Sequence, residues 1–143
     1  MRQPPTRVPE TEGPALRDAP RTASAFAFHS DLGALRADTR AWAVDREIDG
    51  PLQDDLVLTV DELAANSLRH GGGHGELRLW TDDDSVVAEV EDAGWIRDRN
   101  VGRSRPPMDQ VDGRGLWIAA NLAEHLQIRS GPDGTVVRAR FVA

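Results

Sequence analysis

The feature that most constrains the fold is an apolar repeat at steps of three and four residues, which stops at a run of glycines. The residues of this repeat are Leu52, Leu56, Val60, Leu63 and Ser67. Steps of three and four place side chains on one face of a helix, and glycine commonly ends a helix. The sequence therefore predicts an amphipathic helix that begins at Pro51 or Leu52, ends before Gly71 and packs one face against a core.

Segments on both sides of this helix alternate between apolar and other side chains, as half-buried strands do. Ahead of the helix, residues 26–28 alternate in this way. After it, two alternating runs at residues 77–81 and 86–90 are separated by three aspartates, a pattern that predicts a hairpin. Two more strands, at residues 127–130 and 135–141, flank a Gly-Pro-Asp-Gly turn.

Two further helices complete the predicted elements. One follows a cap at Ser30 or Asp31 and is expected to end at Gly50-Pro51. The other is marked by four apolar residues: Leu116, Ala119, Leu122 and Leu126. Because the strands are grouped rather than strictly alternating with helices, the sequence predicts the α+β class, as a two-layer α/β sandwich with helices on one sheet face.

The first 24 residues differ in composition from the rest of the chain. They contain five of the nine prolines and few large apolar side chains, so burial cannot offset the entropy of ordering them. We predict a disordered tail over residues 1–24 and one domain over residues 25–143. Within that domain, residues 95–112 are rich in arginine and have no periodicity, which predicts a functional lid.

Composition excludes several classes of function. The chain has no cysteine, which excludes disulfides, thiol nucleophiles and thiolate metal sites. All 17 basic residues are arginine, which excludes a lysine phosphate loop or Schiff base. A net charge of −7 argues against nonspecific nucleic-acid binding. No apolar run approaches the ~20 residues of a membrane span, and the N-terminus lacks a signal-peptide core, so we expect a cytoplasmic protein.

The first motif that carries chemistry is DELAANSLRHGGG, on the strongest predicted helix. Glu62 and Asn66 are four residues apart and share a helix face. The amide oxygen of Asn66 suits magnesium, which prefers oxygen ligands and phosphate groups, and Glu62 can polarise a hydroxyl or a water molecule. An ordinary solvated helix face would carry the same two residues.

The second motif is EDAGW, at residues 91–95, where a valine-rich strand ends in a carboxylate followed by small residues. Asp92 can accept a hydrogen bond from an exocyclic amine such as that of adenine, and Gly94 lets the chain approach a flat ring. A plain strand-ending turn would look similar.

The third motif is DGRGLW, at residues 112–117, where Gly113 and Gly115 flank Arg114 at the start of a predicted helix. Helix N-termini with free backbone N–H groups attract phosphate, and an arginine adds a charged fork. Ordinary helix capping uses the same residues, so the order of the three motifs is more informative than any one of them.

In that order, the motifs and the predicted lid between the second and third resemble the GHKL ATP-binding fold, over residues 26 to 143. Within this superfamily the sequence is similar to the short actinobacterial relatives of RsbW, the serine-kinase anti-sigma factors. It is most similar to the ATPase portion of RsbA-family regulators, whose sensory N-terminal domain is replaced here by the proline-rich tail. The segments that carry this similarity are NSLRHGGG, LRLW, RPP, GRGLW and GTVVR.

The resemblance implies a mixed, mainly antiparallel sheet and ATP with Mg²⁺ as the bound groups. Asn66 would be the magnesium ligand, and Glu62 would be the base that activates a partner serine. Gly113 and Gly115 would wrap the phosphates, and Arg114 would face the terminal phosphate.

On the base side of the nucleotide, the resemblance implies three further roles. Asp92 would read adenine, and Gly94 would make room for the ring. Thr135, in the last strand, would support the network around the adenine.

The function that the resemblance implies is partner switching by a serine/threonine kinase. The ATP-bound protein would hold a sigma factor inactive, and an anti-sigma antagonist would compete for it and be phosphorylated on serine. A homodimer is compatible with this function. The alternative is a nucleotide-gated binding module, in which ATP orders the lid and creates a partner surface without phosphoryl transfer. Glu62→Ala separates the two, because only the kinase would lose an activity.

Overall fold

The computed structural model describes residues 16–96 and 114–142. These residues form five strands and three helices, in the order β1 (Ser24–Phe28), α1 (Leu32–Asp45), α2 (Gly50–His70), β2 (Gly75–Asp82), β3 (Ser85–Asp92), α3 (Arg114–Leu122), β4 (His125–Gly131) and β5 (Gly134–Val142). The first 15 residues of the predicted tail, the predicted lid from residue 97 onward and Gly113 lie outside the described residues. The division into tail and domain therefore stays a prediction.

The five strands form one sheet in the order β1-β2-β3-β5-β4. Each neighbouring pair of strands is antiparallel. The central strand β3 sets the register, because Val90 lies opposite Leu77 of β2 on one side and Val137 of β5 on the other. The predicted α+β class is confirmed, and in the described part of the chain the sheet is wholly antiparallel rather than mixed.

One face of the sheet carries the core. Leu77 and Leu79 of β2 are completely buried and belong to a cluster that includes apolar side chains of all three helices. The fully or almost fully buried apolar residues of α2 in this cluster are Leu56, Val60, Leu63 and Ala64. Trp80 and Val87 point to the opposite face and lie outside this cluster. The helices therefore cover one face, as the sequence predicts for a two-layer sandwich.

The boundary between the first two helices differs from the prediction. Asp31 caps α1 as expected, and its side chain accepts a hydrogen bond from the Ala34 N–H at 2.9 Å. However, α1 ends at Asp45, and Gly50-Pro51 opens α2 instead of closing α1. The physical reason is that proline is favoured in the first turn of a helix, where its missing N–H would have no partner.

The end of α3 also differs from the prediction. This helix ends at Leu122, and Leu126 belongs to β4, where it lies opposite Ala139 of β5. Leu126 is nevertheless buried in the core. It is four residues after Leu122, and this position is also the first core-facing position of β4. Among the described residues, no helix is both long and apolar enough to cross a membrane.

The sheet face opposite the helices carries a buried ionic network across three strands. Glu89 accepts hydrogen bonds from Arg138 at 2.9 and 2.6 Å and from Arg78 at 2.9 Å, and Arg138 also lies over the ring of Trp80. Burial lowers the pKa of the Arg78 guanidinium, but hydrogen bonds to Glu91 and Glu89 outweigh burial and the net shift is upward. Arg78 therefore stays charged, and it compensates part of the negative charge on this face.

Candidate functional site

The candidate site lies where the C-terminal half of α2 meets the end of β3. Glu62 and Asn66 are half-buried and one turn apart on α2, and Asp92 is the last residue of β3. One contact between the two elements is a hydrogen bond of 2.6 Å, which the buried Ser67 hydroxyl donates to Asp92 Oδ2. Because Ser67 directly follows Asn66, this bond joins the first two motifs of the sequence.

The Asp92 carboxylate is held through both of its oxygens. Ser67 binds Oδ2, and the backbone N–H of Gly94 donates to Oδ1 at 2.8 Å. Two hydrogen bonds to a charged group, each worth about 1.5–3 kcal/mol, fix the plane of a side chain whose last torsion is otherwise soft. The carboxylate is thus presented in one orientation at the end of the strand.

The close approach of helix and strand depends on two glycines. A Cβ on Gly94 would lie 2.5 Å from the backbone oxygen of His70 and 2.8 Å from Gly71 Cα. A Cβ on Gly71 would lie 2.7 Å from Asp92 Oδ1, and nearer still to the rest of that carboxylate. Any side chain at either position would therefore push the two elements apart.

We expect Gly71→Ala to lower the free energy of unfolding by about 1–3 kcal/mol, because the added methyl group overlaps the Asp92 carboxylate. Urea unfolding followed by circular dichroism measures the change. Gly131→Ala is the matched control, because Gly131 lies at the end of β4, and extended backbone is favoured before a proline. Nothing lies within 4 Å of a Cβ added at Gly131, so that variant is expected to be neutral or more stable by up to about 1 kcal/mol. Equal effects of the two substitutions would contradict a tight contact at Gly71.

A chain of hydroxyl groups holds the segment that follows Asp92. Buried Thr135 donates its hydroxyl proton to the Gly94 carbonyl at 2.8 Å and lies 2.5 Å from the Ser130 oxygen. The Ile96 N–H donates to Ser130 at 2.6 Å. Since the Thr135 proton is already used, Ser130 must donate to Thr135. The order of donors therefore runs from Ile96 through Ser130 and Thr135 to Gly94, which ties residues 94–96 to the β4-β5 hairpin.

The start of α3 packs directly against Glu62, the predicted general base. A Cβ added to Gly115 would lie 2.9 Å from Glu62 Oε2 and 3.3 Å from the Glu62 backbone oxygen. Gly115 therefore lets the first turn of α3 contact α2 at the level of Glu62. Arg114 is the first residue of α3, but its side chain lies outside the described residues, as does Gly113.

Asn66 has the properties required of an oxygen ligand. Its amide is half-buried, and no hydrogen bond within residues 16–96 and 114–142 competes with a metal ion for its oxygen. The same ranges contain no group of three or more histidine or carboxylate residues that could hold a metal ion. A magnesium ion at Asn66 would therefore need most of its ligands from phosphate and water, which is common for this ion.

Described contacts join five of the eight predicted site residues in two separate groups: Glu62 with Gly115, and Asp92 with Gly94 and Thr135. Asn66 is linked to the second group through its neighbour Ser67, which binds Asp92. The roles of all eight stay predictions.

Sequence analysis missed three residues of this site: Ser67, Gly71 and Ser130. One signal was available. Ser67 occupies a position of the apolar repeat, and a hydroxyl at a core position of a helix needs a hydrogen-bond partner. No comparable signal distinguishes Ser130, because serine is common at the ends of strands.

Known proteins match this chain in sequence pattern and in fold. The sequence model described as the histidine kinase-like ATPase domain matches residues 27–141. Among solved structures, the chain is similar to the RsbU and RsbW domains of Rv1364c from Mycobacterium tuberculosis, with a TM-score of 0.61 and 20% sequence identity. That match covers 83% of this chain and 32% of the other, so this chain spans about a third of the other's length. The curated proteins contain no significant match.

The family match covers most of the chain, including α2, the Asp92 strand end and the β4-β5 hairpin. The solved structure shares the fold of the antiparallel sheet and its helices. The chain therefore belongs to the GHKL family of histidine kinase-like ATPase domains, a family of nucleotide-binding folds.

Proposed function

We propose that this chain binds ATP with Mg²⁺ at the junction of α2 and β3 and transfers the terminal phosphoryl group to a serine of an anti-sigma antagonist. The observation that carries the proposal is the Asp92 carboxylate, which Ser67 and Gly94 hold next to the turn of α2 that bears Asn66 and Glu62. One bound nucleotide would then use three groups. Asp92 would accept a hydrogen bond from the adenine base, the Asn66 amide oxygen would bind the metal ion, and the Glu62 carboxylate would accept a proton.

Adenine would be recognised by the oriented carboxylate. Its exocyclic amine donates a hydrogen bond, and an ionised carboxylate such as that of Asp92 only accepts hydrogen bonds. Gly94 supports this role because it leaves no side chain between Asp92 and an approaching ring. Thr135 would act indirectly by holding the Gly94 carbonyl in place.

We expect Asp92→Asn to weaken ATP binding by roughly ten- to a hundredfold, since hydrogen bonds to charged groups contribute about 1.5–3 kcal/mol. Calorimetric titration of the purified chain with ATP and Mg²⁺ measures the effect. Asp84→Asn, on the exposed turn at the opposite end of β3 from Asp92, removes the same charge away from the proposed adenine contact and is expected to leave affinity unchanged. Unchanged ATP affinity in Asp92→Asn would show that the adenine base does not bind at Asp92.

The phosphates would lie between α2 and the start of α3. The first turn of a helix offers unpaired backbone N–H groups, and Gly115 brings that turn close to Glu62. Asn66 would hold the magnesium ion, which supplies charge neutralisation for the phosphates when bound. Gly113 and Arg114, immediately before and at the start of α3, would add backbone and guanidinium contacts to the terminal phosphate.

The proposed chemistry is an in-line transfer in which Glu62 accepts a proton. The serine oxygen of the partner bonds to the terminal phosphorus as the bond from that phosphorus to the bridging oxygen breaks. ADP leaves with the bridging oxygen, and the serine proton passes to the Glu62 carboxylate. The products are phosphoserine, ADP and a protonated Glu62, which then releases its proton to water.

The regulatory part of the proposal draws on the structural likeness to an RsbW domain. A phosphoserine adds about −1.5 to −2 charges at neutral pH. Because this chain has a net charge of −7, an antagonist that gains this charge would be repelled and released. Sigma factor and unphosphorylated antagonist would then compete for one surface of the nucleotide-bound chain.

The test combines binding and transfer in one sample. Calorimetry measures Mg²⁺-dependent ATP binding by the chain and by Asn66→Ala, and labelled ATP then reports phosphoserine on candidate antagonists. Loss of magnesium-dependent binding in Asn66→Ala, together with phosphoserine in the unaltered chain, would support the switching kinase. Binding without transfer to any antagonist would contradict the kinase and support a nucleotide-gated binding module. Absence of ATP binding would overturn the proposed function entirely.

A further inference from the structure

The hydroxyl of Ser67 makes an unusual hydrogen bond for a residue inside a helix. A serine or threonine hydroxyl at such a position commonly bonds to the backbone carbonyl four residues earlier. Thr39 in α1 does so, because its hydroxyl donates to the Leu35 carbonyl at 2.8 Å. Ser67 instead donates to Asp92, which is 25 positions away in the sequence, at 2.6 Å. The α2 hydroxyl is thus committed to the end of β3.

Burial strengthens this contact. Ser67 is 1% exposed, so bulk water does not compete for its hydroxyl. A buried hydroxyl that lost its acceptor would remain unpaired, at a cost of about 1–3 kcal/mol. Both the exclusion of water and the cost of an unpaired hydroxyl therefore favour the hydrogen bond between Ser67 and Asp92.

The consequence concerns the orientation of the carboxylate. With Oδ2 bonded to Ser67 and Oδ1 bonded to the Gly94 N–H, rotation of the Asp92 side chain would break one bond or both. Without Ser67, the Gly94 N–H is the one hydrogen-bond donor to this carboxylate that residues 16–96 and 114–142 retain, and the torsion it must restrain is soft for aspartate. The direction in which Asp92 can accept a further hydrogen bond depends on Ser67.

We propose that Ser67 is a positioning residue that sets the preference of the site for a purine with an exocyclic amine. It acts by holding the Asp92 carboxylate towards that amine, and it does not touch the base itself. This inference rests on the proposed function, because it requires Asp92 to contact the base. A base with a carbonyl at the same position would place oxygen against oxygen, so a fixed carboxylate rejects it, whereas a mobile carboxylate can turn away.

The test compares three nucleotides that differ at one position of the base. ATP carries an amine there, purine riboside triphosphate carries a hydrogen, and inosine triphosphate carries a carbonyl oxygen. Calorimetry with Mg²⁺ gives the affinity of the full chain for each. We expect Ser67→Ala to weaken ATP binding roughly three- to tenfold and to leave the affinity for purine riboside triphosphate within about twofold of its original value. The difference in affinity between ATP and inosine triphosphate should become smaller.

Two further variants make the result specific. Thr39→Ala removes a buried helical hydroxyl that bonds within its own helix, and it is expected to leave all three affinities unchanged. Ser67→Cys keeps the approximate shape but donates weakly, so it should behave like Ser67→Ala and serves if the alanine variant does not fold. Equal weakening of all three nucleotides would assign Ser67 a structural role only, and unchanged affinities would exclude a positioning role.

The failure of this inference is distinguishable from failure of the proposed function. If the unaltered chain binds ATP no better than purine riboside triphosphate, the proposed adenine contact at Asp92 is wrong, and the inference is overturned with it. If the unaltered chain prefers ATP and both Ser67 variants keep that preference, only the role of Ser67 is wrong.

Discussion

Glu62→Gln is expected to lower the rate of phosphoryl transfer by about a hundred- to ten-thousandfold while leaving ATP affinity within a few-fold of its original value. A positioned general base contributes rate enhancement in this range, and an amide cannot accept the serine proton. Glutamine keeps the size of the side chain, so the packing of α3 at Gly115 is retained. Initial rates of phosphoserine formation at saturating ATP, with calorimetry on the same preparation, measure the two effects separately.

Asp61→Asn is the matched control for this substitution. Asp61 precedes Glu62 on α2, but its carboxylate pairs with Arg36 of α1 at 2.6 Å. Both side chains are partly exposed, and such surface pairs contribute about 0–1 kcal/mol, so transfer should continue at its original rate. Transfer by Glu62→Gln at a rate close to the original would exclude Glu62 as the base. Loss of ATP binding together with transfer would assign Glu62 to the nucleotide site.

The site shows which parts of a function can be predicted from sequence. Glu62 and Asn66 share a helix face by spacing alone, and Asp92 is visible as a carboxylate at the end of a valine-rich strand. What joins these motifs is not local. The bond from Ser67 to Asp92 connects residues 25 positions apart, and only the packing of α2 on the sheet creates it.

The fold shows the same limit at the ends of its elements. Periodicity predicts the three helices and the strands, because each buries one face against the core. It does not decide whether Gly50-Pro51 ends one helix or begins the next, since both residues are compatible with either boundary. The Asp49 side chain decides it by capping α2, where it accepts a hydrogen bond from the Leu52 N–H at 2.8 Å.

The outer face of the sheet could not be predicted from the alternation of residues. Arg78 and Glu89 alternate with core residues, a pattern that usually indicates side chains in water, yet Glu89 is 3% exposed and Arg138 is 9% exposed. Their burial follows from cross-strand register, which places Arg78 and Arg138 on either side of Glu89. Register is a property of the assembled sheet rather than of any one strand.

Arg138→Ala is expected to lower the free energy of unfolding by about 3–5 kcal/mol, because it leaves the buried Glu89 carboxylate without its principal partner. Arg138 donates two hydrogen bonds to Glu89 Oε1, and it also donates to the backbone carbonyl of Arg17 and covers Trp80. After the substitution, the Arg78 bond to Oε2 is the one ion pair that the described residues leave to this carboxylate, whose side chain is 4% exposed. Urea unfolding followed by tryptophan fluorescence and circular dichroism measures the change.

Two comparisons separate the loss of a buried ion pair from the loss of an arginine in general. Arg140 lies on the same strand and face as Arg138, and it pairs with Asp82 at 3.2 Å, where both side chains are more exposed. Arg140→Ala should therefore cost no more than about 1 kcal/mol. Adding Glu89→Gln to Arg138→Ala should recover part of the lost stability, because it removes the uncompensated charge. If the arginine variants lose equal stability, or if Glu89→Gln lowers stability further, the network is not held together by burial of the Glu89 charge.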